Sequence, residues 1–300
     1  MLARARALLF FVTLEKQSPC KVNLLLNILG KRPDGFHELE TVMQPVNLFD
    51  RISFGRFKGS LNLTCSDPTL PVDRTNLVHR AATAFLEAAG AKDGVAIHLE
   101  KRIPMAAGLG GGSGNAATTL LGLNELFGAP LSAERLHEIA ASIGSDVPFF
   151  LQSGPAIATG RGEKIQALGA FPALKGTACL LIHPGFGVAT AWAYQNLARF
   201  PEALHGRQGR AEELVRLLNT FDLPTAAGEF FNSLEVPVLE KYPVLEIYQA
   251  FLREHGAAVA LMSGSGSTTF GIFSSHGAAK VAEEKVKEKF GPCWIATVAV

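Results

Sequence analysis

The chain has 300 residues, of which 48% are hydrophobic and 18% charged, and its formal net charge is +1. A chain of this length forms one large domain or two ordinary ones, and its core needs no disulfide or metal to stabilise it. The near-zero net charge gives no electrostatic basis for binding nucleic acid or a membrane surface, so we expect neither as a partner. Any anion that the protein binds must be held by local groups.

The four cysteines are far apart, and none has metal-ligand spacing to another cysteine or a histidine. This indicates reduced, mostly buried thiols and a cytoplasmic protein. No apolar run approaches the ~20 residues that span a bilayer. The apolar residues 7–14 are followed directly by Glu15 and Lys16, without a small-residue cleavage site. We therefore expect no signal peptide and interpret residues 7–14 as a buried first strand or an ordered extension.

The sequence of the first half of the chain predicts mainly β-strands. Apolar and β-branched content predicts strands at residues 22–30, 39–46, 50–57, 60–65 and 95–100. A Pro-Asp-Gly turn lies between the first two, in residues 31–38. Apolar residues at helical spacing predict a helix over 76–91, and another that begins near the N-cap Ser132 and ends at Gly144. Strand chemistry resumes over 172–185, and a helix-rich segment follows.

This order of elements predicts an α+β fold, because strands and helices do not alternate regularly. We place a domain boundary near residue 165, which divides the chain into residues 1–165 and 166–300. No linker-like composition marks the boundary, so we expect an extensive interface and a cleft between the two halves.

Residues 106–128, AAGLGGGSGNAATTLLGLNELFG, begin with a glycine cluster and continue as a helix of roughly three turns that ends at Gly128. Its predicted apolar face consists of Ala116, Ala117, Leu120, Leu121, Leu123 and Phe127. A glycine loop that enters a helix N-terminus exposes backbone N–H groups where the helix dipole places about +0.5 charge. Such a site binds anions, most often phosphate, although a flexible hinge or a tight turn is the alternative.

The known phosphate loops do not match this segment. GxxxxGK[ST] is absent because no lysine follows the glycines, and GxGxxG is absent because Ser113 stands where the last glycine is required. The glycine spacing also excludes a Rossmann-type dinucleotide site. The cation that compensates the phosphate charge must therefore come from elsewhere in the chain.

The segment PMAAGLGGGSGNAATTL resembles the second motif of the GHMP kinases, of general form PxxxGLGSSA. Three further segments are similar to motifs of that family, in the same order: SPCKVNLLLNILGKRPDGFHEL, IGSDVPFFL and LMSGSGSTTFGIF. The resemblance covers nearly the whole chain. It implies the two-lobed GHMP kinase fold, with the active site in the cleft between the lobes. The extra glycines and the DGFH segment resemble the branch that transfers the γ-phosphate of ATP to the 2-hydroxyl of a cytidine-diphosphate-linked sugar alcohol.

The resemblance also implies the catalytic residues. It makes Asp146 the catalytic acid/base and places Lys21 beside it, where the ammonium offsets charge on the transferred phosphoryl group and supplies the missing cation. Asn23, on the same strand face as Lys21, is implied to hydrogen-bond the substrate. Read from local sequence alone, Asp146 is a turn or N-cap aspartate and Lys21 an exposed strand-end lysine.

For ATP, the resemblance implies that the glycine loop holds the phosphates, with Ser113 a candidate ligand of Mg²⁺ or of a phosphate oxygen. Asn76 and Lys101 match positions near the adenine. The full implied loop comprises Pro104, Gly108, Leu109, Gly110, Gly111, Gly112, Ser113, Gly114 and Asn115. The ordinary interpretations are helix N-caps for Ser113 and Asn76 and an exposed lysine for Lys101.

The chain departs from the family pattern in this loop. Gly114 stands where the family usually has a second serine, which removes one hydroxyl but keeps the backbone N–H groups. Ala106 and Ala107 replace frequent glycines, a small change. A later glycine-rich stretch, with Ser263, Gly264, Ser265 and Gly266 as the third motif, is implied to close the cleft, and its ordinary interpretation is a helix–strand turn.

For the acceptor substrate, the resemblance implies that Phe36 stacks on the cytosine and His37 reads its Watson–Crick edge. The family often has tyrosine at position 36, so Phe36 keeps the stacking face and loses a hydroxyl contact. Thr190 and Tyr194 match a family threonine and the aromatic residue four positions later. Tyr194 is thus the second stacking residue, with Trp192 as the competing choice.

Two alternatives stay open alongside this reading. Another GHMP small-molecule kinase would carry a GLGSSAA-type loop and no DGFH segment, and a non-catalytic ATP- and sugar-binding relative would lack Lys21 or Asp146; neither expectation fits this sequence. We expect ATP and Mg²⁺ as cosubstrate and cofactor, a small-molecule acceptor, and a monomer or weak homodimer.

Overall fold

The computed structural model describes residues 14–300, so the strand predicted at residues 7–14 lies outside the described part except for Leu14. The strands of this part are β1 (Leu14–Lys31), β2 (His37–Phe57), β3 (Asn62–Cys65), β4 (Gly94–Glu100), β5 (Ala156–Gly160), β6 (Lys164–Ala167), β7 (Ala178–His183), β8 (Phe231–Asn232), β9 (Val259–Met262), β10 (Thr269–Phe273) and β11 (Trp294–Ala299). Its α-helices are α1 (Leu77–Ala88), α2 (Gly111–Leu126), α3 (Ala133–Ile143), α4 (Thr190–Leu197), α5 (Pro201–Leu204), α6 (Arg210–Thr220), α7 (Leu223–Ala226), α8 (Glu235–Lys241), α9 (Val244–Glu254) and α10 (His276–Phe290).

Strands and helices follow one another without regular alternation, which confirms the predicted α+β class. The described residues form two compact units, each made of several chain segments. The first contains residues 14–18, Phe49–Arg102 and Gly112–Val147, and the second contains Pro19–Leu48, Ile103–Gly111 and Pro148–Val300. The predicted domain division at residue 165 stays a prediction.

In the first unit, the second half of β2 pairs antiparallel with β4, and β3 pairs parallel with β4. Helix α1 begins after the N-cap Asn76 and α3 begins after the N-cap Ser132, as predicted, and both bury apolar stripes. Glycine at position 122 of α2 allows the helix to approach β2, because a Cβ there would lie 2.7 Å from the Phe54 ring. Local capping signals thus begin the two helices α1 and α3, and close packing places α2 against β2.

Helix α2 differs from its prediction in two respects. It begins at Gly111 and has 16 residues, which is more than four turns at about 3.6 residues per turn. Leu121, assigned to the apolar face, is 38% exposed, whereas Leu120 and Leu123 are fully buried. Each residue is rotated about 100° from the last, so Leu121 lies away from the face that Leu120 occupies.

In the second unit, β1 is buried along most of its length, and its Leu25 and Leu26 pair in parallel with β8. The first half of β2 pairs antiparallel with β5, which pairs with β6. The strands predicted separately at 39–46 and 50–57 are one continuous strand, β2. A second, antiparallel sheet has the order β11-β7-β10-β9, and α9 and α10 pack on it.

All four cysteines are free, with Cys20 and Cys179 buried and Cys65 and Cys293 half-buried. The expectation of mostly buried thiols is therefore met by only two of the four cysteines. Among residues 14–300, no helix has the length and apolar character needed to cross a membrane.

Candidate active site

The glycine loop has backbone geometry that requires glycine at two positions. Gly108 and Gly110 have φ angles of +78° and +68°. A Cβ at Gly108 would lie 2.0 Å from the carbonyl oxygen of Ser263, and one at Gly110 would lie 2.9 Å from the Phe150 ring. Glycine loses more conformational entropy on folding than other residues, but only glycine allows the backbone to come this close to its neighbours. Ala106, which replaces a frequent glycine, also has a positive φ, +51°.

Helix α2 begins directly after this loop, at Gly111. Its first four backbone N–H groups have no partner within the helix, and the dipole adds positive charge at the same end. Ser113 is therefore inside the first turn, and its interpretation as the N-cap is wrong. Helical N–H groups at a glycine-rich first turn suit an anion, and the phosphate-binding role of this loop stays a prediction.

Lys21 supplies a cation to this loop. Its side chain lies within β1 and the residue is only 3% exposed, so its interpretation as an exposed strand-end lysine is wrong. Its backbone N–H donates to the Leu109 carbonyl at 3.0 Å, and its Nζ donates to the Gly108 carbonyl at 3.1 Å and to Asn23 Oδ1 at 2.5 Å. A loop without a lysine of its own thus receives one from a strand 87 residues earlier.

Asn23 is held in one orientation. Its Nδ2 donates to Thr41 Oγ1 at 2.9 Å, and Thr41 Oγ1 donates to the Leu25 carbonyl at 2.5 Å. With Nδ2 so engaged, Oδ1 accepts the ammonium of Lys21. Thr41 did not emerge from the sequence, because its role depends on how β2 lies against β1.

The glycine-rich turn at residues 263–267 connects β9 to β10, so its interpretation as a helix–strand turn is wrong. Ser263 Oγ accepts from the Asn23 backbone at 3.4 Å and donates to the Gly108 carbonyl at 2.9 Å. Ser265 Oγ lies 2.9 Å from Thr190 Oγ at the start of α4. The turn thereby joins β1, the glycine loop and α4 within the second unit.

Two predicted base-binding residues meet in the same unit. The rings of His37 and Tyr194 lie 5.1 Å apart at an interplanar angle of 39°. Phe36 is 51% exposed, and the Arg161 guanidinium lies 4.5 Å from the centre of its ring. Trp192 instead packs against Tyr242, with Lys241 Nζ 4.0 Å from its ring. Tyr194, and not Trp192, is thus the residue whose ring lies against His37, and the stacking roles stay predictions.

His37 lies at the start of β2 and is partly buried. Burial, with a smaller effect of the Lys31 charge, lowers the pKa of His37 below its ordinary 6.5. A neutral imidazole has one donor and one acceptor nitrogen, which suits it to a polar heterocyclic edge.

In the first unit, the Lys101 side chain is 6% exposed and forms an ion pair with the fully buried Asp50. The exposed-lysine interpretation of Lys101 is therefore wrong. Asp50 Oδ1 accepts from the Arg102 backbone at 2.7 Å, and Oδ2 accepts from Asn115 Nδ2 at 2.9 Å. Asn115 also donates to Ser18 Oγ at 2.9 Å, so this network anchors the beginning of α2. Asp50 is the first residue of the strand predicted at 50–57 and lies inside the continuous β2, and no local sequence signal indicates its buried ion pair.

Two further predicted residues lie in this unit. Asn76 is the N-cap of α1, with its Oδ1 accepting from the Val78 backbone at 2.9 Å and its Nδ2 donating to the Pro71 carbonyl. Asp146 is half-buried in the turn between α3 and the short 3₁₀ helix Pro148–Leu151, as its local sequence predicted. The nucleotide role of Asn76 and the catalytic role of Asp146 stay predictions.

Near the third motif, Glu235 Oε1 accepts from the Met262 backbone and from Gln249. Burial raises the pKa of Glu235 from its ordinary 4.5 to about 7, partly opposed by these hydrogen bonds. A carboxyl whose folded pKa is raised contributes stability below pH 4.5 and loses it as the pH rises through about 7.

Glu235→Gln should keep both hydrogen bonds, and its free energy of unfolding at pH 8 should exceed that of the native chain by roughly 3 kcal/mol. Urea unfolding at pH 4.5 and pH 8 measures this difference.

Glu283→Gln provides the control of opposite sign. Although burial raises the pKa of Glu283, hydrogen bonds from Lys280, Lys287 and Thr297 lower it to about 2. This substitution should therefore lower stability at pH 8. Equal behaviour of the two variants at both pH values would contradict the assignment for Glu235.

Comparison with known proteins identifies the class. The model described as the GHMP kinases N terminal domain matches residues 76–154, and that of the GHMP kinases C terminal matches residues 201–292. The chain belongs to the GHMP kinase family.

Within that family, similar relatives share one name. A 4-diphosphocytidyl-2-C-methyl-D-erythritol kinase of Syntrophotalea carbinolica is 42% identical over 279 residues, covering 91% of this chain and 94% of the relative. The enzyme of the same name from Syntrophus aciditrophicus is 44% identical over 268 residues, covering 89% and 92%. A crystal structure of 4-(cytidine 5'-diphospho)-2C-methyl-D-erythritol kinase is similar with a TM-score of 0.80 and 37% identity, covering 96% of this chain and 100% of that one. Homoserine kinase from Cytophaga hutchinsonii, at 19% identity and a TM-score of 0.76, shares the fold.

Proposed function

We propose that the chain transfers the γ-phosphate of ATP to the 2-hydroxyl of 4-diphosphocytidyl-2-C-methyl-D-erythritol, a step of isoprenoid precursor synthesis by the non-mevalonate pathway. The observation that carries the proposal is the buried Lys21, whose ammonium lies on the glycine loop at Gly108. The names of the similar relatives support the choice of acceptor.

The glycine loop and the first turn of α2 bind the ATP phosphates in this proposal. Backbone N–H groups of residues 108–114 point to the phosphate oxygens, and Lys21 neutralises charge that develops during transfer. Asn115 holds the beginning of the helix through Asp50. Asn76 and Lys101 lie at the adenine in this proposal. Lys101 would contact it through its backbone, because its ammonium is already paired with Asp50.

The proposed Mg²⁺ would be held mainly by the nucleotide phosphates. Within residues 14–300, no group of three or more His, Cys, Asp or Glu side chains could hold a metal. Mg²⁺ does not require such a group, because it is commonly bound by substrate phosphates, waters and one or two protein oxygens. The Ser113 hydroxyl is the proposed protein ligand, and the ion neutralises phosphate charge when bound.

Asp146 is the proposed acid/base. Its carboxylate accepts the proton of the attacking 2-hydroxyl, or orients that hydroxyl, as phosphoryl transfer requires of a positioned base. Asn23 hydrogen-bonds the acceptor, with the second proton of its Nδ2 directed to substrate while the first is donated to Thr41.

The cytosine is bound by aromatic residues of the second unit. Phe36 stacks on one face of the base and Tyr194 on the other, and the neutral His37 pairs with its polar edge. Thr190, bonded to Ser265, ties the beginning of α4 to the third motif, Ser263 to Gly266.

We further propose a monomer or weak homodimer, with domains at residues 1–165 and 166–300. The four free cysteines favour a reducing compartment.

The deciding experiment combines purified protein, Mg²⁺-ATP and the cytidyl substrate. Equimolar ADP and a product with a new phosphate on the 2-hydroxyl, followed by ³¹P NMR, are expected. Equal turnover of mevalonate or homoserine would instead indicate another GHMP kinase, and ATP binding without turnover of any of these acceptors would indicate a non-catalytic relative.

Phe36→Ala should raise KM for the cytidyl substrate and leave KM for ATP unchanged. The increase should be about fivefold to a hundredfold, since a base–aromatic stack contributes about 1–3 kcal/mol in single-stranded nucleic acids. Initial rates with each substrate varied in turn measure both constants. Phe221→Ala is the matched control, because Phe221 is 47% exposed and also lies beside an arginine, Arg216. An unchanged KM for the cytidyl substrate in Phe36→Ala would contradict the stacking role.

A further inference from the structure

A buried side chain that belongs to none of the four motifs described above holds the third motif by hydrogen bonds. Asn232 is 1% exposed and lies in β8, where it pairs with Leu26 of β1. Its Nδ2 donates to the carbonyls of Met262 and Gly264, both at 2.8 Å. Its Oδ1 accepts from the Leu234 backbone at 2.9 Å. The amide is thus held on one side by the backbone two residues later, at the beginning of α8, and binds the turn on the other.

The two carbonyls that Asn232 binds stand on either side of Ser263. Ser263 Oγ donates to the same Gly108 carbonyl that receives the Lys21 ammonium. The position of one carbonyl group in the glycine loop therefore depends on where the 263–266 turn is held.

The backbones of the turn and the glycine loop are closely packed against each other. A Cβ on Gly264 would lie 3.0 Å from the Gly108 carbonyl oxygen, and Thr268 donates its backbone N–H to the Ala107 carbonyl at 3.1 Å. A displacement of the turn by a fraction of an ångström would thus be transmitted to the loop. Close-packed interiors pass on such shifts rather than absorb them.

We propose that Asn232 is a positioning residue for nucleotide binding and phosphoryl transfer: it fixes the turn that sets Ser263, and through Ser263 the Gly108 carbonyl and Lys21. This inference rests on the proposed kinase function, since it concerns the loop assigned to the ATP phosphates. Asn232 contacts neither reacting group in this assignment and acts through the turn.

Asn232→Ala removes both amide hydrogen bonds to the turn. We expect the Kd for a non-hydrolysable ATP analogue to rise and kcat to fall by about tenfold or more, because small misplacements far from the chemistry have effects of that size. KM for the acceptor does not discriminate here, because Ser263 also accepts the backbone N–H of Asn23. Titration calorimetry with the analogue requires no acceptor, so its outcome is separate from the test of the proposed substrate, which is turnover by the native chain.

Asn27→Ala is the matched control. Asn27 is fully buried in the same unit and also donates two amide hydrogen bonds, to Glu40 and to the Arg207 carbonyl, away from the third motif. We expect a comparable decrease in Tm with an unchanged Kd for the analogue. If Asn232→Ala lowers Tm as Asn27→Ala does and leaves Kd and kcat unchanged, the role is merely structural and the proposal is overturned.

A double-mutant cycle with Ser263→Ala tests the route. If Asn232 acts through Ser263, the loss in the double variant should be clearly smaller than the product of the single losses. A double loss equal to the product of the single losses would overturn that route. Should Asn232→Ala fail to fold, Asn232→Ser, which keeps one donor, replaces it in the same cycle with a smaller expected loss.

Discussion

Asp146→Asn should lower kcat by about 10²–10⁴-fold, the range that a positioned general acid or base contributes. Asparagine has nearly the same shape, but its amide cannot take up the proton of the acceptor hydroxyl. KM for ATP and the Tm should remain close to the native values, because the substitution alters the chemistry rather than the turn. Steady-state rates of ADP formation measure the effect.

Asp222→Asn is its control within the chain. Both aspartates stand two residues before a proline at the beginning of a short helix, and Asp222 is a helix N-cap that accepts from the Thr225 backbone. Asparagine caps a helix about as well as aspartate, so this variant should retain native kcat and Tm. Near-native kcat in Asp146→Asn would refute the proposed catalytic role.

Asp50→Ala should lower the free energy of unfolding by about 3–5 kcal/mol, the usual cost of breaking a buried ion pair. It leaves the Lys101 ammonium buried without its carboxylate, and it removes the acceptor of Asn115 and of the Arg102 backbone. Denaturant titration measures the loss.

Two companions make this prediction specific. Asp93→Ala removes the exposed pair with Arg56 and should cost about 1 kcal/mol or less. Asp50→Ala combined with Lys101→Met removes both buried charges and should recover part of the loss. A cost in Asp50→Ala no larger than that in Asp93→Ala would contradict the structural role of the pair.

Much of the local structure follows from short-range signals. The caps at Asn76 and Ser132, the turn before His37 and the glycines of the 106–112 loop act through neighbouring backbone, so their effects can be predicted from sequence. The same signals were insufficient for helix α2. Its glycine-rich first turn has poor helix propensity, and packing of the helix, including Gly122 against Phe54, overrode that propensity.

The sequence by itself determined the glycine loop, the order of motifs that resembles the GHMP kinases, and hence the phosphate chemistry and the residues proposed for it. The tertiary structure decided which partner each charged or polar group meets. It buried Lys21 on the Gly108 carbonyl, paired Lys101 with Asp50, brought Tyr194 rather than Trp192 to His37, and set Asn232 behind the third motif. These pairs join residues from 32 to 157 positions apart. Such partners depend on strand register and packing, which no local pattern specifies, whereas caps, turns and positive φ angles are set within a few residues.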